Sequence, residues 1–240
     1  MNVLALDTCT EQGSVALACD DQLDFRPLPP GWRSTTLHQE IERLLQDHGL
    51  ASRDIDGYGV TSGPGSFTGV RLGLTAVKGM AEVHAKPIIP VSTLEVIAAA
   101  AGESSEVPAS ATVAAILEAR RGQVFGGVYR QQDGSWKAVT QETVSAVASF
   151  LKRIQSDPQI MSDPAAADGV VVCGLDVESL KPELEKAGWN GAHILQVSPC
   201  LAGSLARITI RRLQRGQDVE AALAEANYIR LSDAELFWKE

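Results

Sequence analysis

The stretch Thr61–Leu74, "TSGPGSFTGVRLGL", decides how this chain is read. It sets Gly63, Gly65, Gly69 and Gly73, with Pro64, around Ser66-Phe67-Thr68 at the start of an apolar run. A glycine-rich turn that opens a helix is a common phosphate cradle, so the nucleotide motifs are the first test. A Walker loop needs G-x-x-x-x-G-K-[ST], because its lysine reaches the outer phosphates. Here Gly63 and Gly65 are followed by Phe67 and Thr68, with no lysine near. A dinucleotide fingerprint needs G-x-G-x-x-G after the first strand of a βαβ unit. Here the third glycine, Gly69, comes one residue late, and Pro64 removes a backbone N–H that a phosphate would use. Neither motif is met. Ser66 instead stands where a serine caps the helix that follows it.

That helix, "SFTGVRLGLTAVKGMAEVHA", says more than the loop. Arg71, Thr75, Lys78 and Glu82 fall on one polar stripe. Gly69, Gly73, Ala76 and Met80 fall on another face, with Val70, Leu74, Val77 and Ala81 beside it. So little of the circumference is polar that the helix must bury most of its surface. A glycine inside a helix costs about 1 kcal/mol against alanine, and two of them four apart let another backbone come close. That backbone belongs either to the same domain or to a partner chain. The residues leave both readings open. A second amphipathic helix, "STTLHQEIERLLQDHG", puts Leu37, Ile41, Leu44 and Leu45 on one face. Ser34 or Thr35 is placed to start it and Gly49 to end it.

Around these helices the pattern is that of an α/β protein. The runs at 2–7 and 14–19 flank "DTCTEQG" as strand, turn, strand, and "LDFRPL" adds a third strand. "GYGVTSG" and "KPIIPVS" are short strands, and "TLEVIAAAA" is a helix. The second half starts again in the same way. "VLALDTCTEQGSVALACDDQ" aligns with "VAAILEARRGQVFGGVYRQQ", so that Asp7 matches Glu118 and Gly13 matches Gly122. This is a long-range internal duplication rather than a short solenoid repeat. Helices near 143–154, 177–187 and 200–215 and strands at 169–173 and 193–197 follow. The expectation is two similar α/β lobes, 1–103 and 104–240, with the last thirty or so residues free to pack back on the first.

The 240 residues are enough to bury a real core, and 45% hydrophobic with 21% charged residues is ordinary globular composition. The net charge of −9 makes the chain a poor phosphate clamp for nucleic acid. Cys9, Cys19, Cys173 and Cys200 have neither metal-knuckle nor C-x-x-C spacing, which fits a reducing cytosol. The N-terminal run meets Asp7 too early for a signal peptide, and no uncharged apolar window reaches 18 residues. A cytoplasmic protein is expected.

Asp7 and Glu118 are the two candidates for binding a nucleotide or a metal-bound water, each at a strand end. In nucleotide sites of the actin, sugar-kinase and Hsp70 type the corresponding turn is D-x-G-T. Here Cys9 stands in the glycine position and hinders a close backbone approach. The competing reading makes both acids turn-formers. No metal site and no catalytic group is assigned. His38, His48, His84 and His193 include no pair four apart, and Ser66 is not in a G-x-S-x-G elbow. Cys9 has no histidine placed near it and reads as a quiet thiol. The late basic run, Arg207, Arg211, Arg212 and Arg215, reads as a solvated helix face with nucleic-acid contact as the alternative. Trp32, beside Arg33, reads as a cover over the core edge.

Three segments together resemble one family. "LALDTCTEQGSVAL" is similar to its opening hairpin, "GPGSFTGVRLGLTAVKGMA" to its most characteristic motif, and "YIRLSDAE" to its closing segment. "VSTLEVIAAAA" and "ILEARRGQVFGGVYR" also fit, so the resemblance covers most of the chain outside 131–168. The family is TsaB, also called YeaZ. The resemblance implies a duplicated actin-like (ASKHA) two-lobe fold. It also implies a non-catalytic scaffold in the bacterial machinery that makes threonylcarbamoyladenosine at position 37 of tRNA. Such a subunit pairs with its catalytic paralogue TsaD, is joined by the ATPase TsaE, meets tRNA indirectly and can self-pair in isolation. ATP is then used by the complex and not held tightly by this chain. The family's pairing helices correspond here to about 35–48 and 66–84, which gives an expected interface of Leu37, Ile41, Leu44, Gly69, Gly73, Ala76, Val77 and Met80. Two positions depart from the family pattern. Glu118 stands where Asp is common, and "RSTTLH" displaces His38 from the usual His-Ser pair. The opposing reading is a stand-alone actin-like ATP-dependent transferase or a peptidase-like hydrolase. Cys9, the missing histidine pair and the lysine-free loop count against it.

Overall fold

The computed structural model describes residues 1–20, 22–161, 169–189 and 194–229. Most of the closing segment "YIRLSDAE", from Arg230, and the first residue of the strand expected at 193–197 lie outside the described residues. The chain divides into two compact units. One is Met1–Val96 with Ser198–Ala226; the other is Ile97–Val197 with the residues from Asn227.

The first unit is built on a five-stranded sheet. Its strands are β1 (Asn2–Asp7), β2 (Ser14–Cys19), β3 (Gln22–Pro27), β4 (Gly57–Thr61) and β5 (Ile88–Val91), in the order β3-β2-β1-β4-β5. The β1–β2 and β2–β3 pairs are antiparallel, because short turns join them; β1–β4 and β4–β5 are parallel, because helices cross between them. Those helices are α1 (Ser34–Asp47) and α2 (Phe67–His84). Strand alternation sends Tyr58 and Val60 of β4 toward α1 and α2, and Gly57 and Gly59 to the opposite face. There the late helix of the chain, Ala202–Gln214, packs so closely that a Cβ at Gly59 would lie 2.1 Å from Thr209 Oγ1. Arg212 of that helix makes a bidentate ion pair with Glu95, at 2.6 and 2.7 Å, so this arginine is a fastener rather than a solvated cation.

The second unit repeats the plan. After α3 (Thr93–Gly102) come β6 (Thr112–Glu118), β7 (Gln123–Gln132), β8 (Ser135–Ala138), β9 (Thr143–Ala146), α4 (Val147–Ser156) and α5 (Pro158–Met161). Then follow β10 (Val170–Gly174), α6 (Lys181–Lys186) and β11 (Ile194–Gln196), after which the chain returns to the first unit as α7, the helix Ala202–Gln214 already described. The sheet order is β11-β10-β6-β7-β8, again with an antiparallel hairpin on one side and parallel strands on the other. In β1–β2 Asp7 faces Ser14; in β6–β7 Glu118 faces Val124. Gly13 and Gly122 hold φ of +62° and +71° in the two turns, where a side chain would be strained. The duplication read from the sequence is therefore a duplication of topology, and the fold is the duplicated actin-like one.

Several boundaries differ from expectation. The helix expected near 143–154 begins as β9, because "TVSA" pairs with Gln123–Gly126 of β7 before α4 starts. The helix expected near 177–187 contracts to α6, which has a proline in its first turn. Arg33, not Ser34 or Thr35, is the N-cap of α1, whereas Gly49 closes that helix at φ +66°. Trp32 packs on the first core and donates from Nε1 to the Glu11 carbonyl.

Candidate functional site

The β1–β2 turn is closed by the chain itself. Asp7 is fully buried and accepts from Cys9 N (3.1 Å), Thr61 Oγ1 (2.8 Å) and Thr10 Oγ1 (2.6 Å). Burial pushes its carboxyl up from the ordinary carboxylate value, and these donors pull it part of the way back. The glycine loop then lies over the turn. Ser66 N donates to the Cys9 carbonyl at 2.8 Å, and a Cβ at Gly65 would sit 2.3 Å from that same oxygen. The loop that resembled a phosphate cradle is a packing device against the protein's own first turn. Asp7 is an internal acceptor, with no oxygen facing outward. Burial pushes the Cys9 thiol up to about 12, and its sulfur lies 3.2 Å from the Thr61 carbonyl, so it is no nucleophile. Glu118 is exposed at the end of β6. Among the described residues no three His, Cys, Asp or Glu side chains come together as metal ligands, and no helix is long and apolar enough to cross a membrane.

Helix α2 starts as expected, with Ser66 as N-cap accepting from Gly69 N at 3.2 Å. Its two early glycines pack inside their own unit. A Cβ at Gly69 would fall 1.9 Å from the Thr8 carbonyl, and one at Gly73 2.2 Å from Thr8 Oγ1. Thr8 Oγ1 also donates to the Gly69 carbonyl at 2.7 Å. The close approach is therefore made to the β1–β2 turn of the same unit. Leu37, Ile41, Leu44 and Val77 are also buried, inside the same core. Six of the eight expected interface residues face inward; only Ala76 and Met80 lie partly open.

What α2 and α1 present outward is a different set. Leu72, Ala76, Gly79 and Val83 recur at steps of four, three and four along α2 and line an open groove of roughly 680 Å³. Thr75 and Met80 line it too, with Ser34 and His38 from α1, Thr68 and Arg71 toward the start of α2 and His84 at its end. Val83 is 76% exposed, and among the described residues nothing lies within 4 Å of where a Cβ at Gly79 would be. This outer seam was missed because the glycine pair drew attention to the inner one. Its signal was the second four-three-four run of apolar and small residues, offset by two positions from Val70, Leu74, Val77 and Ala81. Small and apolar residues make up the middle of the groove, with Arg71, His38 and His84 among its polar lining.

Comparison with known proteins agrees with this architecture. A family model described as TsaD, tRNA N6-adenosine threonylcarbamoyltransferase, matches residues 33–226. The tRNA threonylcarbamoyladenosine biosynthesis protein TsaB of Escherichia coli (strain K12) is 34% identical over 157 residues, 65% of this chain and 67% of that protein. The protein of the same description from Bacillus subtilis (strain 168) is 28% identical over 248 residues, covering 100% of this chain and 99% of its own. A Pseudomonas aeruginosa crystal structure, described as an uncharacterized protein with similarity to peptidase YeaZ, superposes with a TM-score of 0.80. It is 28% identical and covers 95% of this chain and 99% of that one. The chain belongs to the TsaB (YeaZ) family.

Proposed function

We propose that this protein is the non-catalytic subunit of a tRNA threonylcarbamoyladenosine-forming complex, and that it pairs with the catalytic paralogue TsaD through the outer groove of α1 and α2. The observation that carries the reading is the second apolar seam of α2, which its own unit leaves open at Val83 and Gly79. A helix surface with this spacing and a glycine in its middle suits a second helix pair. TsaD is the natural supplier of one, since a TsaD model matches this chain across both α1 and α2. The subunit works by binding. Asp7 is spent on internal hydrogen bonds, and Cys9 stays a thiol. TsaE, the ATPase, joins the pair; tRNA is met through TsaD; the work is cytoplasmic. The lobes that build the subunit are close to 1–103 and 104–240, with α7 returned to the first.

Purified chain, TsaD and TsaE are mixed with tRNA, a threonylcarbamoyl donor and ATP, and modified adenosine is counted. The lone chain gives background ATP hydrolysis and no product, and adding it to TsaD and TsaE raises the yield. Val83→Asp, at an exposed position, abolishes co-purification with TsaD and the gain in product without lowering the melting temperature. Product made by the lone chain, or pairing undisturbed by Val83→Asp, contradicts the proposal.

A further inference from the structure

After α7 the chain stays with the first unit as far as Ala226, and Gln217–Ala226 runs back across that unit as a strap. The strap's first anchor is β5. Val219 donates its N–H to the Ile88 carbonyl at 2.9 Å and accepts from Ile88 N at 3.1 Å. The second anchor is α2. A single turn of helix at Ala221–Leu223 packs on α2, and Lys78 Nζ donates to the Ala222 carbonyl at 3.4 Å. Ala224 is then buried in the first core, and Val219, Ala221 and Ala226 pack against it. The anchored positions, Lys78 and Ile88, bracket Gly79, Met80, Val83 and His84, the groove residues carried by the end of α2. No residue of the strap is itself part of the groove's lining. Lys78 lies one residue, about 100°, round the helix from Gly79, so the strap grips the flank of α2 and leaves the groove face clear.

This end of α2 is a weak helix by itself. Gly79 is exposed inside it, and glycine lowers the stability of a helix interior. The helix closes on Ala85 at φ +50°, a left-handed conformation that a side chain resists. One flank is held by His84, whose Nε2 lies 3.0 Å from Ser52 Oγ. The strap holds the other.

We infer that the strap is a positioning element for the groove: by holding Lys78 and Ile88 it fixes the end of α2 in the form a partner meets, and it touches no partner itself. The inference rests on the proposed pairing with TsaD through the groove. The strap's own holds are slight: a pair of backbone hydrogen bonds, one lysine bond and a run of alanines with one valine. A segment with so few buried apolar groups opens more readily than the core around it. A protein whose binding-competent form is only partly populated binds more weakly by that fraction. Loosening the strap therefore lowers affinity at a distance from the contact.

The test compares the full wild-type chain with Val219→Pro, Lys78→Met and Lys78→Arg, and keeps Val83→Asp as the groove control. Proline at 219 removes the N–H that reaches Ile88. Methionine at 78 keeps much of the stem and loses the donor, and arginine restores a donor. Amide hydrogen exchange is read at 80–84 and at Ile88, with the amides of 70–77 as the internal standard, and TsaD affinity is measured on the same samples. In Val219→Pro, exchange at 80–84 and Ile88 is expected to rise about tenfold or more with 70–77 unchanged, and TsaD affinity to fall about three- to tenfold. Lys78→Met is expected to move both readouts the same way by less, and Lys78→Arg to restore them. Raised exchange in Val219→Pro at wild-type TsaD affinity, alongside lost pairing in Val83→Asp, overturns the positioning role and leaves the groove standing. Undisturbed pairing in Val83→Asp removes the groove as the TsaD site, and the positioning role with it. Unchanged exchange at 80–84 in Val219→Pro, or an equal rise at 70–77, overturns the strap as a separate hold on the end of α2.

Discussion

The inner and outer faces of α2 carry nearly the same sequence pattern and meet opposite fates. Val70, Leu74, Val77 and Ala81 step four, three, four and are buried on the sheet; Leu72, Ala76, Gly79 and Val83 step the same way and line an open groove. The two runs are offset by two residues, about 200° around a helix of 3.6 residues per turn. Their glycines differ in the same sense. Gly69 and Gly73 have the Thr8 backbone and hydroxyl where a Cβ would go, whereas Gly79 has open space. Identical spacing thus fixes only that both faces want cover. Which one the molecule covers for itself depends on a turn sixty residues earlier.

The largest effect expected from this contrast is at Gly73. Gly73→Leu drives a side chain into Thr8 and costs about 3 kcal/mol or more, seen as loss of the cooperative thermal transition or a large fall in midpoint. A mild effect there would mean that the inner face is loosely packed. Next is Leu44→Ala on the buried face of α1, expected to cost about 2–5 kcal/mol by denaturant titration.

A subtler effect concerns Asp7, in the turn over which α2 closes. Its folded pKa is raised above the ordinary 3.8, so the folded chain holds the proton more tightly than the unfolded one. Stability from this group is full below the unfolded value and is lost as pH climbs through the folded value. Asp7→Asn, which keeps an acceptor for Cys9 N, should flatten the fall in denaturation midpoint from about pH 4 upward. An unchanged pH profile would show that the three donors outweigh burial. The smallest effect is Gly79→Ala. An exposed mid-helix glycine with free space above it should gain about 0.5–1 kcal/mol as alanine, read as a small rise in melting temperature.

Much of the fold was legible because periodicity and repeats are local signals. β1, β2, α1, α2 and the matched turns at Asp7 and Glu118 could be read from alternation, helical spacing and internal alignment. β9 was hidden because "TVSA" runs into the amphipathic α4 without a breaker. Nothing near the glycines of β4 in the sequence explains them; their cause is Thr209 and Leu213 of α7, some 150 residues away. The candidate site was half legible. The open groove is lined by the two helices expected to carry an interface, but Gly69 and Gly73 meet Thr8, in the turn after β1 of their own unit. Small residues announce a close approach without saying to what.

The central claim is that the outer seam, and not the glycine pair beneath it, carries the partner. Gly79→Leu tests it most directly, with affinity for TsaD and melting temperature measured on the same sample. The account predicts an unchanged or slightly higher melting temperature with pairing lost. Wild-type affinity in a fully folded Gly79→Leu protein would contradict it.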